Sequence, residues 1–353
     1  MRGLYYADWF EDYTAQIALA VAERSHEVSV IVRDTEIHFR ETTAEGNAQR
    51  AKLKERIHRL FVLRGGYSSL KTYGFINRFI GDKNHGDYDY FHIQQSGDPR
   101  FVALVLRMPT VLTLHEPAMR QGLTSRGFSL RQLSNAAFLS LYRRLADRII
   151  VHTQTAFKGL PLRERRKAVV IPKGIKALSD TALPPCDSKT ILFFGRAAKY
   201  KGLDTLVAAM YKVWKVAPEA QLQILASPGD RECELEIPDS RARATWNGYS
   251  NAELEEALAK ARVVCLPYTS VSGTAVGVQA YESGRPIVAT DLEGLRELVP
   301  DEELLVAPGN ATALASALLL ALAREGQVRE VDPNRTMKAI ATAHTAVYES
   351  IAV

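Results

Sequence analysis

The sequence predicts an α/β protein built from two doubly wound domains, each a parallel sheet covered by helices. Short β-rich runs alternate with longer helical patterns, which is typical of βαβ units on a parallel sheet. This alternation pauses at residues 176–188 (KALSDTALPPCDS), where Pro184 and Pro185 mark a linker, and then restarts. The length of 353 residues also fits two domains. We therefore expect domains at 1–176 and 177–335, followed by a C-terminal segment at 336–353.

The elements follow from the pattern in chain order. The first domain is predicted to contain strands at 3–7, 27–32, 90–94, 110–114, 148–152 and 169–172, with helices at 14–24 and 129–145. The second is predicted to contain strands at 190–194, 222–226, 244–246, 263–267 and 286–290, with helices at 203–216, 252–261 and 275–283. Ligands of such sheets bind beyond the carboxyl ends of the strands, so we expect the site in a cleft between the domains.

Composition excludes several classes of protein. The chain is 46% hydrophobic and 24% charged, as in ordinary globular proteins, and it contains no apolar run of about 18 residues that would span a membrane. A charge at the eighth residue argues against a signal peptide. The three cysteines are far apart and do not indicate a disulfide scaffold. We expect a soluble, cytoplasmic protein.

The charge is divided unevenly between the two halves of the chain. Residues 1–180 contain 28 Lys and Arg against 18 Asp and Glu, whereas residues 181–353 contain 17 against 22. The basic half would suit an anionic partner, such as an anionic membrane surface or a charged acceptor, or it is simply an arginine-rich solvated surface. Motifs of nucleic-acid recognition are missing, so we expect no nucleic-acid partner.

The densest basic stretch is residues 52–71. Leu53, Ile57, Leu60 and Phe61 recur there at helical spacing among cationic residues, which describes an amphipathic basic helix. Such a helix either lies at the interface of an anionic membrane or packs on the core of its own domain.

A basic motif follows the first strand of the second domain. The strand ends in Gly195 and Arg196, and Lys201-Gly202 follow just before the next helix. A guanidinium fork and an ammonium point charge at a strand end would pair with a diphosphate. Two exposed cations in a loop are the alternative.

A second stretch of this domain also favours an anion. Small residues at 270–275 follow the strand at 263–267 and lead into a helix. Backbone N–H groups at the start of a helix, aided by its dipole, bind anions with little steric hindrance. Two features that attract anions would thus face the same side of the second domain.

With these motifs the chain resembles the retaining glycosyltransferases of family 4, which have the GT-B fold. In the second domain, Gly195-Arg196 and Lys201-Gly-Leu-Asp204 are similar to the family's Gly-Arg…Lys-Gly-x-Asp motif, and Gly284-x-Pro286, Gly294-Leu-x-Glu297 and Val306-Ala-Pro-Gly309 are similar to its later loops. The first domain offers landmarks at Arg24–Val28, Asp89–His92, Thr113–Glu116, Ala146–Arg148 and Ile171–Gly174. The resemblance also implies a C-terminal helix, at about 336–348, that crosses back to the first domain.

The resemblance implies roles for particular residues. Arg196 and Lys201 would bind the donor diphosphate together with the backbone of Thr274, Ala275 and Val276. His115 would lie near the donor sugar as a catalytic residue, although a lone histidine is also often structural. Gln279, with Gly248 and Tyr249, would border the ribose and nucleoside.

The sequence departs from the family at one donor motif. The two glutamates of the family's Glu-x7-Glu pattern fall on Val271 and Gln279, and Thr274-Ala-Val276 is similar to a variant in which Ser-Gly-Val begins the helix. An amide at Gln279 retains hydrogen bonding to ribose without the charge. A binding protein that has lost turnover therefore stays open as an alternative.

Acceptor binding is expected in the first domain. Asp8, Trp9, Asp12 and Tyr13 follow the first strand, and Trp9 would either stack on a sugar or pack in the core. If the enzyme were inverting, Asp8 or Asp12 would be the general base.

The implied reaction transfers a sugar from a nucleotide-diphosphate-sugar, with UDP or GDP expected, to an acceptor hydroxyl with retention. The acceptor is expected to be a glycan, a lipid-linked molecule or another small molecule. No other cofactor is expected. Asp87-Tyr-Asp89 precedes its strand instead of following it, so we do not interpret it as a metal site and expect none.

Overall fold

A computed structural model describes most of the chain. The described residues are 1–7, 11–33, 51, 53–63, 74, 76–79, 84–115, 130–174, 186, 188–230, 233–270, 275–324 and 332–352. The chain forms two compact units, one of Met1–Gly174 with Met337–Val353 and the other of Ile175–Thr336. Most of the predicted linker at 176–188 lies outside the described residues.

The first unit contains a seven-stranded parallel sheet. Its strands are β1 (Arg2–Ala7), β2 (Glu27–Arg33), β3 (Arg59–Leu63), β4 (Tyr90–Gln94), β5 (Thr110–Leu114), β6 (Arg148–Val151) and β7 (Ala168–Val170), and their order is β3-β2-β1-β4-β5-β6-β7. The strand order reverses direction at β1, as in doubly wound sheets. The central strands β1, β4 and β5 are almost fully buried, which explains their continuous apolar sequences. The predicted doubly wound sheet is confirmed.

The described helices of this unit connect those strands. They are α1 (Glu11–Ala22), α2 (Val102–Val105), α3 (Leu130–Leu145), α4 (Gln154–Gly159) and α5 (Leu162–Arg165). Buried side chains on the two faces of the sheet form two apolar clusters, one of them including α1. The carboxyl ends of β4, β5 and β6 lie side by side at one edge of this sheet.

The predicted basic helix within residues 52–71 is wrong for Arg59–Leu63, and residues 64–71 lie outside the described part of the chain. His58 N donates to Val28 O at 2.8 Å, and the chain continues as β3, parallel to β2. Phe61, which was expected on a helix face, pairs with Ile31 instead. A short apolar run such as Leu60–Leu63 fits a buried strand as well as a helix, and pairing with the edge of β2 decides the outcome. The residues that would form a membrane-binding face are thereby divided between a helical turn and the sheet.

The second unit contains a six-stranded parallel sheet. Its strands are β8 (Thr190–Arg196), β9 (Gln221–Ser227), β10 (Ala242–Thr245), β11 (Val263–Leu266), β12 (Ile287–Thr290) and β13 (Leu305–Val306), in the order β10-β9-β8-β11-β12-β13. The described helices are α6 (Leu203–Val216), α7 (Asn251–Lys260), α8 (Ala275–Glu282), α9 (Glu293–Arg296) and α10 (Ala311–Ala323). The order reverses at β8, so the carboxyl ends of β8 and β11 flank the point where a doubly wound sheet binds ligands.

Helix α10 was not predicted, and its sequence explains why. It consists almost entirely of alanine and leucine, so polar residues do not mark a helical period. The Asn310 side chain caps it by accepting a hydrogen bond from Ala313 N at 3.0 Å.

The C-terminal helix α11 (Met337–Glu349) belongs to the first unit, as the resemblance implies. It packs against α1, and the ring of Tyr348 stacks on that of Tyr90 with centroids 4.1 Å apart. Tyr348 Oη is also 2.8 Å from His92 Nδ1. At the start of the helix, a Cβ added to Gly174 would meet Met337 Sδ at 2.5 Å, so the backbone at residue 174 lies directly against Met337. Among the described helices, none is long and apolar enough to cross a membrane.

Candidate functional site

Lys201 is placed by a tight turn after β8. Residues Lys199–Lys201 form one 3₁₀ turn, and Gly202 follows with φ +66° before α6 begins. A Cβ at Gly202 would lie 1.9 Å from Pro267 O, so the close approach to the end of β11 requires glycine. The turn buries Lys201, whereas Lys199 in the same turn is exposed. The sequence motif thus produces one buried ammonium at the sheet edge.

Aromatic rings surround that ammonium. Lys201 Nζ lies 3.8 Å from the ring centroid of Tyr268 and 5.3 Å from that of Tyr200. The backbone of Tyr268 is itself held in place, because Thr290 Oγ1 donates to the Tyr268 carbonyl oxygen at 2.6 Å. The face of an aromatic ring attracts a cation and keeps it charged without neutralising it. The ammonium of Lys201 is therefore buried against aromatic ring faces at the edge of the sheet.

Gly195 brings the start of α8 close to Lys201. Gly195 has φ +128°, and a Cβ at this position would lie 3.2 Å from Val276 Cγ2 and 4.0 Å from Lys201 Nζ. The end of β8, the Lys201 ammonium and the first turn of α8 therefore converge within a few ångströms. Unpaired N–H groups and the positive end of the dipole at a helix start, beside an ammonium, form a site that attracts anions.

Arg196 is the last residue of β8, and its side chain is exposed at the same edge. The adjoining loop is fixed by backbone contacts: Asp230 N donates to Ala197 O at 2.6 Å, and Lys199 N donates to Asp230 Oδ2 at 3.1 Å. A Cβ at Gly229 would overlap Ala197 O at 1.8 Å. The Arg196 side chain thus starts from a backbone held by these contacts, directly after Gly195 and at the same sheet edge as Lys201.

The structure places the remaining donor-site candidates of the second unit as follows. Gln279 is half-buried on α8, one turn after Val276. Gly248 has φ +96° and donates from its N to Ala226 O at 3.0 Å, so it lies at the carboxyl end of β9. Tyr249 is half-buried, and burial raises its pKa. Thr274 lies outside the described residues, and only the backbone of Ala275 is described.

In the first unit, His115 belongs to a row of polar side chains at the carboxyl ends of three adjacent strands. His115 Nε2 lies 2.7 Å from Gln94 Oε1, and His115 Nδ1 lies 3.0 Å from His152 Nε2. His152 Nδ1 is in turn 2.9 Å from Ile171 O. All three side chains are buried. We call Gln94, His115 and His152 the strand-end row.

The surroundings of this row disfavour a positive charge on its two imidazoles. Burial, followed by the proximity of His152 and Lys173, holds the pKa of His115 well below its usual range. Burial and then Lys173 lower the pKa of His152 to about 3. Gln94 and His152 were not among the predicted site residues. His152 directly follows β6 as His115 directly follows β5, and this repetition was the signal in the sequence.

Tyr13 on α1 packs against both histidines. Its ring lies edge-on to His115, with centroids 5.7 Å apart, and to His152, at 5.8 Å. Gly174 N donates to Tyr13 Oη at 3.2 Å, and burial raises the pKa of the phenol. Of the other acceptor candidates, Asp8 and Trp9 lie outside the described residues, as does the side chain of Asp12.

Asp87 and Asp89 lie at the amino end of β4, opposite the strand-end row. Asp89 Oδ2 accepts a hydrogen bond from Arg2 N at 2.7 Å, and its carboxylate lies 3.8 Å from the Arg2 guanidinium. Asp89 therefore joins the start of β4 to that of β1. Across the described part of the chain, no group of three His, Cys, Asp or Glu residues is arranged to hold a metal ion.

Comparison with known proteins adds two family matches. The model described as Glycosyltransferase Family 4 matches residues 10–177, and the model described as Glycosyl transferases group 1 matches residues 188–324. The chain is similar to the phosphatidyl-myo-inositol mannosyltransferase of Mycobacterium leprae, with 29% identity over 275 residues. That match covers 72% of this chain and 68% of the relative.

Solved structures share the architecture of the whole chain. Sucrose-phosphate synthase from Thermosynechococcus elongatus matches with a TM-score of 0.69 and 18% identity, over 99% of both chains. Anabaena Alr3699/HepE in complex with UDP-glucose matches with a TM-score of 0.63 and 17% identity, over 99% of this chain and 98% of that chain. At such identities the likeness is one of fold.

Proposed function

The chain belongs to the group 1, family 4 glycosyltransferases with the GT-B fold, and from this membership we propose that it transfers a sugar from a nucleotide-diphosphate-sugar to an acceptor hydroxyl. The observation that carries the proposal is the convergence of Gly195, the Lys201 ammonium and the first turn of α8 at the carboxyl edge of the second sheet. This is where a doubly wound sheet binds its ligand, and the chemistry there suits a diphosphate.

The leaving group is the nucleoside diphosphate. As the bond between the sugar and the diphosphate breaks, negative charge accumulates on the departing oxygen. Lys201 supplies a fixed positive charge, Arg196 supplies a guanidinium fork, and the N–H groups at Thr274–Val276 supply donors. Charges and dipoles that are already in position stabilise a transition state without reorganisation, which is often the largest catalytic contribution.

We also propose the stereochemistry and the metal requirement of the transfer. The cations and the helix dipole take the place of a divalent ion at the diphosphate, so transfer proceeds without a metal. The acceptor hydroxyl attacks on the face from which the diphosphate leaves, and the departing oxygen takes its proton, so the configuration is retained. A β-linked product from an α-linked donor would contradict this assignment.

The nucleoside of the donor binds beside α8 in the proposed site. The Gln279 amide hydrogen-bonds ribose hydroxyls, and Gly248 and Tyr249 border the base. The backbone at Gly248 leaves room for a ligand, because a Cβ there would meet no atom within 4 Å. UDP and GDP are the nucleotides that we propose, and a UDP-glucose complex of a protein with this fold supports the first of them.

The acceptor binds the first unit, at the carboxyl edge near Tyr13 and the strand-end row. The name of the mycobacterial relative supports a lipid-linked acceptor.

Exposed cations of the first unit would suit contact with an anionic membrane. Arg144, Lys158, Arg163 and Arg166 are exposed, and Leu162 is 64% exposed among them. If Arg163→Glu with Arg166→Glu does not reduce sedimentation with phosphatidylglycerol vesicles, the membrane contact is wrong.

Calorimetric titration with UDP, GDP and ADP, first without metal and then with magnesium, tests the donor site. One nucleotide should bind without metal, and Arg196→Ala and Lys201→Met should each weaken its binding. Lys199→Met is the matched control, because Lys199 lies two residues from Lys201 in the same turn but is exposed. Equal losses in Lys199→Met and Lys201→Met, or no binding of any nucleotide, would contradict the proposed site.

A further inference from the structure

The strand-end row contains more hydrogen-bonded positions than two neutral imidazoles have protons. Three contacts join Gln94, His115, His152 and the Ile171 carbonyl, at 2.7, 3.0 and 2.9 Å. Each contact needs one proton between its two atoms. A neutral imidazole supplies one N–H and one acceptor, so the two rings supply only two protons. The third must come from Gln94 or from an additional charge.

The chain of contacts determines where these protons are. A backbone carbonyl only accepts, so His152 Nδ1 carries a proton and donates to Ile171 O. His152 Nε2 is then an acceptor, and His115 Nδ1 must donate to it. His115 Nε2 is left with a lone pair that faces Gln94, and a lone pair requires a donor.

Gln94 can supply that donor. An amide presents an oxygen on one side and an NH₂ group on the other, and half a turn about its last bond exchanges them. In the arrangement with Oε1 toward His115, Gln94 Nε2 is buried without a hydrogen-bond partner among the described residues. Turning the amide directs Gln94 Nε2 toward His115 Nε2 as its hydrogen-bond donor. Gln94 Oε1 then occupies the buried position in which Nε2 had no partner.

The alternative is a third proton on the two rings, which would place a positive charge in the interior. Lys173 lies close enough to lower the pKa of both His115 and His152, and both imidazoles are buried. His92 and His344 also disfavour a charge on His115. Nearby positive charge and burial each make a further positive charge costly. The surroundings therefore favour the neutral pair.

We propose that His152 and Gln94 are positioning residues that hold His115 as the neutral Nδ1–H tautomer. This inference rests on the proposed function only for its catalytic consequence. Positive charge develops on the sugar as the diphosphate leaves, so a neutral imidazole near the sugar avoids a repulsion that an imidazolium would create. The cations of the second unit then act on the diphosphate alone.

Long-range ¹H–¹⁵N NMR of the full chain labelled with ¹⁵N-histidine tests the proposal at pH 7. We expect His115 and His152 each to be protonated at Nδ1 and bare at Nε2. Single substitutions of the histidines assign the signals. Protonation of His115 at Nε2 in the wild type, or three protonated nitrogens in the pair, would overturn the proposal.

Variants then test the two positioning residues separately. In His152→Leu, the acceptor for His115 Nδ1 is lost, and the proton of His115 should move to Nε2 and donate to Gln94 Oε1. In Gln94→Glu, the carboxylate should make His115 an imidazolium protonated at both nitrogens. His152→Gln keeps an acceptor near the Nε2 position, so it should retain the Nδ1–H tautomer of His115. An unchanged His115 spectrum in His152→Leu would refute the role of His152.

His58→Gln is the matched control, since His58 is exposed, and it should leave the signals of the pair unchanged. If His152→Leu does not fold, His152→Gln and Gln94→Glu still decide the question. Nucleotide titration of the same variants should be unaffected, whereas kcat should fall in His152→Leu. If the wild type binds no nucleotide, the proposed function fails while the NMR result still decides the tautomer.

Discussion

The ammonium of Lys201 lies 3.8 Å from the centroid of the Tyr268 ring, so an aromatic face contacts the cation of the proposed diphosphate site. An aromatic ring orients the ammonium and leaves its charge available. The contact therefore buries the Lys201 ammonium against a ring that does not neutralise its charge.

Tyr268→Leu removes this aromatic face and should weaken nucleotide binding about tenfold, since a desolvated cation–π contact contributes on the order of 1–2 kcal/mol. Calorimetric titration with the nucleotide that the wild type binds measures the change. Tyr268→Phe keeps the ring and serves as the control, with affinity expected close to wild type. Equal weakening in both variants would show that the hydroxyl, and not the ring face, supports Lys201.

Gly202→Ala should destabilise the second unit by about 1–3 kcal/mol, because the residue has φ +66° and its new Cβ would overlap Pro267 O. Urea unfolding followed by circular dichroism measures the loss. Gly159→Ala is the control, because a Cβ at Gly159 meets no atom within 4 Å. If the two variants are equally stable, the turn does not depend on this close approach.

Acid should destabilise the first unit through its buried histidines. Burial lowers the pKa of His344 to about 4, below its value of about 6.5 in the unfolded chain. Below pH 6.5, His344 therefore binds a proton in the unfolded chain but not in the folded one. The free energy of unfolding falls as the pH decreases, until the pH reaches about 4. At pH 5 this one residue should account for a loss on the order of 2 kcal/mol. The urea midpoint at pH 7 and at pH 5 measures the effect.

His344→Leu is the variant that isolates this contribution. It removes the titrating group, so the difference between the two pH values should become smaller. A difference as large as that of the wild type would assign the acid sensitivity to other groups.

Tyr348 should determine how firmly the C-terminal helix is docked. Tyr348→Ala removes the ring stacked on Tyr90 and should cost about 3–5 kcal/mol. Tyr348→Phe keeps the ring but loses the hydroxyl, which hydrogen-bonds with His92 and Tyr5, and should cost about 1 kcal/mol. Hydrogen exchange of the amides of α11 gives a local measurement. Similar protection in Tyr348→Ala and in the wild type would mean that other contacts dock the helix.

The sequence predicts the sheets well because their central strands are continuous buried runs bounded by helical patterns. It also predicts the basic turn after β8, whose glycines and cations have fixed spacing. It mispredicts β3, because four apolar residues fit a helix turn or a strand, and only the exposed edge of β2 decides between them. It misses α10, whose apolar sequence lacks polar positions to mark a period.

The strand-end row shows a different limit. His115 was expected at the site from the family resemblance and its place after a strand, but its partners Gln94 and His152 are 21 and 37 residues away in sequence. Only the pairing of β4, β5 and β6 brings the three together, and the register of a parallel sheet cannot be obtained from a single sequence. The proton count of the row depends on this register.

The contact of Gly174 with Met337 makes the second unit an insertion into the first. The chain leaves the first unit at residue 174 and re-enters at residue 337, directly beside the point of departure. Each unit has its own apolar core. Residue 174 could therefore be joined to residue 337 by a few flexible residues, giving a shortened protein that retains α11 and the strand-end row. Such a protein would lack the proposed donor site, so binding of an acceptor to the first unit could be measured alone.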